Sequence, residues 1–313
     1  MPAPFPTRSG RSLDPETLLA IRDLELRARV VVEGLWAGLH RSPFSGFSVE
    51  FSEYRQYVAG DDLRYLDWRV LARTDREYVR KFEDETNLRC QLLVDHSRSM
   101  EFGSRGHTKA EYARTLAASL AYFLLQQRDM VGVALFADGL AAHLPARWRP
   151  GHLQRLLAAL DQAPAGSSTG LGSALADAAR LWRKRGVAVI ISDLLAPVDT
   201  WDDALGHLVA IGHDVRVIQI LDPAELTLDF GRVAEWEDLE SGRRLHVDPS
   251  RAASGFRDRI QAHFRAVESS LDARGVPLQR VKTDQPLDLV LMEWLRAVSR
   301  SRASISRKGG VRR

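Results

Sequence analysis

From residue 88 onward, apolar runs of strand length alternate with stretches of helical periodicity. Leu88–Val94 is a continuous apolar run and is predicted to be a strand. Thr108–Gln127 carries Leu, Tyr and Phe at helical spacing, which predicts a long amphipathic helix packed on the core. Val131–Phe136 and Leu140–Leu144 form a predicted strand pair turning at Asp138-Gly139. Helices are predicted over 151–161 and 171–185, then a strand at Val187–Ser192, a helix near 200–211 and a strand at Val215–Leu221. The pattern closes with a helix over 251–273, a short strand at Pro277–Val281 and a helix from Leu287 to Val298. Buried strands alternating with helices predict an α/β fold, a mostly parallel central sheet with helices on both faces. Ligands of such sheets sit beyond the carboxyl ends of the strands, where the strand order reverses.

Upstream the pattern differs. Asp14-Pro15-Glu16 reads as an N-cap followed by Pro in the first helical turn. Leu18, Ile21, Leu24, Leu26, Val30 and Val31 carry that helix towards Gly34 or Gly38. From Gly46 to Glu85 short alternating runs are broken by Gly60-Asp61-Asp62, predicting a small β-rich segment with turns. Residues 1–12, rich in Pro, Ser and Gly, read as disordered. The expected organisation is therefore a disordered 1–12, an extension of helix and small β-rich segment over 13–87, the α/β domain over 88–298 and a basic flexible tail over 299–313.

Composition narrows the function classes. Hydrophobic residues make up 45% and charged residues 27%, values that predict a packed globular core. The formal charge of +3 includes six Lys and Arg within 299–313, a segment without an acid; the rest of the chain stands at −3. The basic character thus describes a tail and argues against a nucleic-acid-binding domain, although the tail could touch an anionic surface. One cysteine, Cys90, excludes an internal disulfide framework. With no signal-peptide pattern and no apolar stretch of membrane-spanning length, a cytoplasmic location is expected.

The chemistry concentrates at predicted strand ends. Leu88–Val94 runs into Asp95-His96-Ser97-Arg98-Ser99, an Asp-x-Ser-x-Ser loop that turns three oxygen ligands towards one centre. Gly166-Ser167-Ser168-Thr169-Gly170 precedes a predicted helix and offers Thr169 as a further hydroxyl; Val187–Ser192 ends in Asp193. All-oxygen ligands suit Mg²⁺, which takes near-octahedral oxygen coordination at about 2.1 Å and keeps waters; Mn²⁺ would also fit. Few anionic ligands leave such an ion with residual positive charge and an exchangeable position, which a partner's carboxylate can fill.

The order strand–DxSxS, Thr before a helix, strand–Asp resembles the metal-ion-dependent adhesion site of von Willebrand factor A domains. The resemblance implies that Ser97, Ser99 and Thr169 bind the ion through their hydroxyls, and that Asp95 and Asp193 do so directly or through water. A second resemblance spans most of the chain. Glu50-Phe51, Tyr57, Gly60-Asp61-Asp62-x-Arg64, Asp67-Trp68, Ala72-Arg73 and Phe82-x-x-Glu85 are similar to the signature of domain-of-unknown-function family 58. Asp222-Pro223-x-Glu225 and Asp238-x-Glu240-Ser241-Gly242 fit the same family. That resemblance implies a von Willebrand factor A-like domain and an adaptor or co-chaperone role beside a MoxR-type AAA+ ATPase. Read without it, Gly60–Arg73 is a salt-bridged, Trp68-anchored turn or a recognition surface near the metal.

Other chemistries fit less well. Gly166-x-Ser168-x-Gly170 matches a nucleophile elbow, but that motif needs a strand directly before the serine, and Asp161–Ala165 reads as a loop after a helix. A metal-dependent phosphoesterase is the enzymatic alternative, using Asp95 and Asp193 with Asp61, Asp62 or Asp222 to hold two ions. The chain has no GxxxxGK[ST] and no HExxH, and its nine histidines do not cluster at ligand spacing. His96 is expected to face solvent.

Overall fold

A computed structural model describes residues 13–41, 54–56, 73, 78–80, 88–162, 170–227, 234–237, 244–247 and 249–309. The chain forms two compact units, Met1–Gly38 with Leu88–Arg313, and Leu39–Asn87.

The larger unit is built on six strands: β3 (Arg89–Asp95), β4 (Met130–Phe136), β5 (Leu140–Arg147), β6 (Val187–Ser192), β7 (Asp214–Leu221) and β10 (Leu278–Lys282). Their order is β10-β7-β6-β3-β4-β5. All neighbours are parallel except β4 and β5, the hairpin turning at Asp138-Gly139. The central strands are apolar and buried along almost their whole length, as a sheet covered on both faces requires. The chain runs outward from β3 through β4 to β5, then returns to the other side of β3 to lay down β6. Strand order therefore reverses between β3 and β6, the position where doubly wound sheets bind ligands.

The covering helices lie close to their predicted spans: α3 (Lys109–Gln126), α4 (His152–Leu160), α5 (Leu171–Leu181), α6 (Asp202–Ala210) and α8 (Pro249–Ala273). A capping box starts α3. Glu111 N donates to Thr108 Oγ1 at 3.1 Å and Thr108 N donates to Glu111 Oε2 at 2.9 Å. One core cluster joins Leu93, Phe136, Leu175, Ile190, Trp201, Leu205 and Val267.

Several predictions of local structure are corrected. The expected continuous N-terminal helix is two, α1 (Pro15–Leu19) and α2 (Leu24–Arg41). Asp14 caps the first, and Asp23 Oδ1 accepts from Leu26 N at 2.8 Å, so a second N-cap restarts the helix. α2 runs through both Gly34 and Gly38 and packs on the core: Trp36 meets Phe123 at 5.5 Å, and Arg27 Nη1 donates to Thr115 Oγ1 at 3.1 Å. A short helix, α7 (Pro223–Thr227), follows β7. It is followed by an antiparallel pair not anticipated from the pattern, β8 (Ala234–Glu237) with β9 (Arg244–Val247). The last helix, α9 (Leu287–Gly309), passes the expected end at Val298; residues 299–308 contain no Gly or Pro to stop it.

Within the smaller unit, β1 (Tyr54–Gln56) pairs antiparallel with β2 (Tyr78–Arg80). The segment Gly60–Arg73, apart from Arg73, lies outside the described residues, as do residues 1–12, 238–242 and 310–313.

Candidate metal centre

Two adjacent parallel strands bring the acidic residues together. Val94 of β3 pairs with Ile191 of β6, so Asp95 and Ser192 emerge side by side and Asp193 follows. Ser192 Oγ donates to Asp95 Oδ2 at 2.5 Å, and Ser97 N donates to Asp95 Oδ1 at 3.0 Å. The loop after β3 folds into a short 3-10 turn, Arg98–Glu101, which turns Ser99 back over the strand ends. Ser97 Oγ and Ser99 Oγ lie 3.0 Å apart, and Ser99 Oγ donates to Asp193 Oδ2 at 3.0 Å. Four of the five predicted ligands, Asp95, Ser97, Ser99 and Asp193, thus form one linked cluster. The fifth, Thr169, lies outside the described residues.

Asp95, Ser97 and Asp193 are buried, while Ser99 is only half-buried. Gly170, next to Thr169, is fixed against the β4–β5 turn. Its N–H donates to Ala137 O at 2.5 Å, and an added Cβ would stand 2.1 Å from Asp138 O. The nearest described element before the Gly166–Gly170 segment is α4, not a strand.

The structure adds a cation that the pattern did not reveal. Lys109, in the first turn of α3, is fully buried and donates to Asp193 Oδ2 at 2.8 Å and to Glu225 Oε1 at 2.5 Å. Burial alone would lower its pKa, but the Asp193 and Glu225 carboxylates outweigh burial and hold it above the ordinary lysine range. One sign was readable: a lysine at a helix N-terminus opposes the macrodipole and needs a compensating anion. Burial raises Glu225 from its ordinary value, partly offset by Lys109. Burial, and then the negative Asp193, push the Asp95 carboxyl up to about 7, against the bonds from Ser192 and Ser97. Asp193 and Glu225 therefore share the Lys109 ammonium, while Asp95 is held by Ser192 and Ser97.

The donor set fits a hard cation. Among the described residues no three His, Cys, Asp or Glu form a metal-ligand group, so an ion here would depend on hydroxyl oxygens beside the two aspartates. Asp95 and Asp193 each retain acceptor capacity. Asp222 does not: it accepts from Ser104 N at 2.9 Å, Ser104 Oγ at 2.6 Å, Ala224 N at 2.8 Å and Thr283 Oγ1 at 3.4 Å. With its acceptor positions engaged, Asp222 serves as an anchor, not as a ligand for a second ion. Asp61 and Asp62 lie outside the described residues.

The turn after Asp193 is strained and clamped. Leu194 has φ of 53°, a left-handed conformation uncommon for a branched side chain. Its carbonyl lies 2.7 Å from His263 Nε2, its N–H donates to Ser192 Oγ at 3.1 Å, and Gln219 Nε2 donates to Asp193 O at 2.9 Å. His96, expected at the surface, is buried, because its backbone N–H extends the sheet to Phe136 O at 2.7 Å. His107, His152 and His213 likewise place Nε2 on backbone carbonyls and hold structure.

No helix among the described residues is long and apolar enough to cross a membrane. Comparison with solved structures finds an aerotolerance-related membrane protein from Bacteroides fragilis, 17% identical, covering 65% of this chain and 94% of that one, with a TM-score of 0.44. The SpRpn10 VWA domain is 14% identical over 64% of this chain and 92% of its own, with a TM-score of 0.37. An uncharacterised protein of Mycobacterium tuberculosis is 35% identical over 305 residues, covering 95% of this chain and 92% of that relative. The family model for protein of unknown function DUF58 matches residues 53–270. With that match and a relative aligned nearly end to end, this chain, whose fold is α/β with a mostly parallel six-stranded sheet, belongs to the DUF58 family.

Proposed function

We propose that the chain is a non-enzymatic, Mg²⁺-dependent protein-binding adaptor, with Asp95, Ser97, Ser99, Thr169 and Asp193 as the residues that would hold the ion. The observation that carries this reading is the linked cluster of two aspartates and two serine hydroxyls at the reversal of strand order. Bound there, Mg²⁺ supplies a Lewis-acidic centre with room for an Asp or Glu of the partner. The hydroxyls stay neutral, and Asp193 accepts the hydrogen bond from Ser99, leaving a Ser99 Oγ lone pair for the centre. The half-buried Ser99 leaves the cluster partly accessible to a partner. The family resemblance points to a MoxR-type AAA+ ATPase, or a client it remodels, as that partner, in a co-chaperone role in the cytoplasm.

The test is a pull-down with a MoxR-type AAA+ ATPase, in Mg²⁺ or in EDTA, with wild type and Asp95→Ala. Capture in Mg²⁺ that is lost with EDTA and in Asp95→Ala is the expected result. Capture insensitive to both rules out a metal-bridged contact.

A further inference from the structure

We infer that Lys109 is an internal cation shared between Asp193 and Glu225, opposing the metal at Asp193, and that Glu225 sets how tightly the site holds its ion by drawing Lys109 away. This rests on the metal reading above, and it gives a role to Asp222-Pro223-x-Glu225, a motif that reading leaves unused.

The geometry is specific. Lys109 Nζ lies 2.8 Å from Asp193 Oδ2 and 2.5 Å from Glu225 Oε1, with its side chain fully buried. Asp193 Oδ2 is the same oxygen that accepts from Ser99. Both carboxylates are fixed in place. Glu225 accepts from Asp222 N at 2.9 Å through its other oxygen, and Asp222 is tied down by Ser104, Ala224 and Thr283. Asp193 is held by Leu195 N at 3.2 Å and, through its carbonyl, by Gln219. An ammonium bonded to Asp193 occupies one of its oxygens and offsets its negative charge, which reduces what that carboxylate offers a metal. The ammonium also repels a divalent ion directly. Glu225 offsets both effects without touching the ion's ligands.

Two substitutions should therefore move affinity in opposite directions. Glu225→Gln leaves the Lys109 charge on Asp193 alone, and Mg²⁺ should bind about tenfold more weakly. Lys109→Met with Glu225→Gln removes the competing cation without stranding Glu225, while Asp193 keeps Ser99 and Leu195 N as donors, and Mg²⁺ should bind about tenfold more tightly than to wild type.

The measurement is calorimetric titration of the full chain, stripped with EDTA and desalted, with MgCl₂ alone. Circular dichroism and urea unfolding check that each variant folds; if the double variant does not, Glu225→Gln decides by itself. Wild-type binding abolished by Asp95→Ala but unchanged in Glu225→Gln, or tightened by it, overturns the role of Lys109 and leaves the metal reading standing. Equal affinity of wild type and a folded double variant does the same. No wild-type binding, or binding indifferent to Asp95→Ala, overturns the metal reading and this inference together.

Discussion

Asp193 Oδ2 accepts from both Ser99 and Lys109, and that single oxygen shows how much of the site could be read from one residue at a time. Asp95, Ser97, Ser99 and Asp193 were legible because each follows a strand in a short, ordered motif. Lys109, Glu225 and Ser192 were not. Their partners lie 84, 116 and 97 residues away in the chain, and no local pattern encodes such contacts. Cys90 shows the same division. Its place in an apolar run predicts burial, while the strength of the effect depends on its neighbours. Burial first, then Asp129 and Asp214, raises the thiol well above the ordinary cysteine range. Cys90 should therefore be unreactive towards a disulfide reagent such as DTNB in the native protein at neutral pH. It should titrate as one thiol per chain once the protein is unfolded in guanidinium.

At the scale of elements, helix and strand existence followed from periodicity, and their ends followed from caps where a cap was recognisable. Thr108 with Glu111 starts α3 at its predicted place. Asp23 was not recognised as a cap, because the apolar positions on either side keep the helical period while the backbone breaks between them. The β8–β9 pair escaped because four-residue strands give too short a run for a periodic signal. The left-handed Leu194 also had no sequence signal; the clamp by Ser192 and His263 holds it there. Gly170 is readable only in three dimensions. Gly170→Ala would drive a methyl group to 2.1 Å from Asp138 O and should cost about 1–3 kcal/mol in urea unfolding. Gly139→Ala, where the nearest atom is Ser173 Oγ at 3.8 Å, should stay within about 0.5 kcal/mol of wild type.

At the scale of the whole molecule, the site lies where β3 and β6 meet and the chain changes direction across the sheet. Four carboxylates, Asp95, Asp193, Asp222 and Glu225, follow the ends of β3, β6 and β7 and the start of α7, with Lys109 between Asp193 and Glu225. A ligand bound only by the folded state stabilises it by mass action, about 2.7 kcal/mol at one hundred times its dissociation constant. Saturating Mg²⁺ should therefore raise the thermal midpoint of wild type by a few degrees in differential scanning calorimetry. The same addition should leave Asp95→Ala unchanged, because that variant lacks a carboxylate at the centre.

The sequence by itself determined the alternation of buried strands and amphipathic helices, and hence a parallel sheet with chemistry at its carboxyl edge. It also determined which oxygens stand at the strand ends, because an Asp or Ser directly after a buried apolar run has nowhere else to emerge. Tertiary structure decided which of those oxygens meet, since the β3–β6 register sets Asp95 beside Ser192 and so brings Asp193 within reach of Ser99. It also decided the charge of the site, because Lys109 and Glu225 reach it from α3 and α7 through contacts that only folding creates. Electrostatic balance depends on distance in space, and separation along the chain carries almost no information about it.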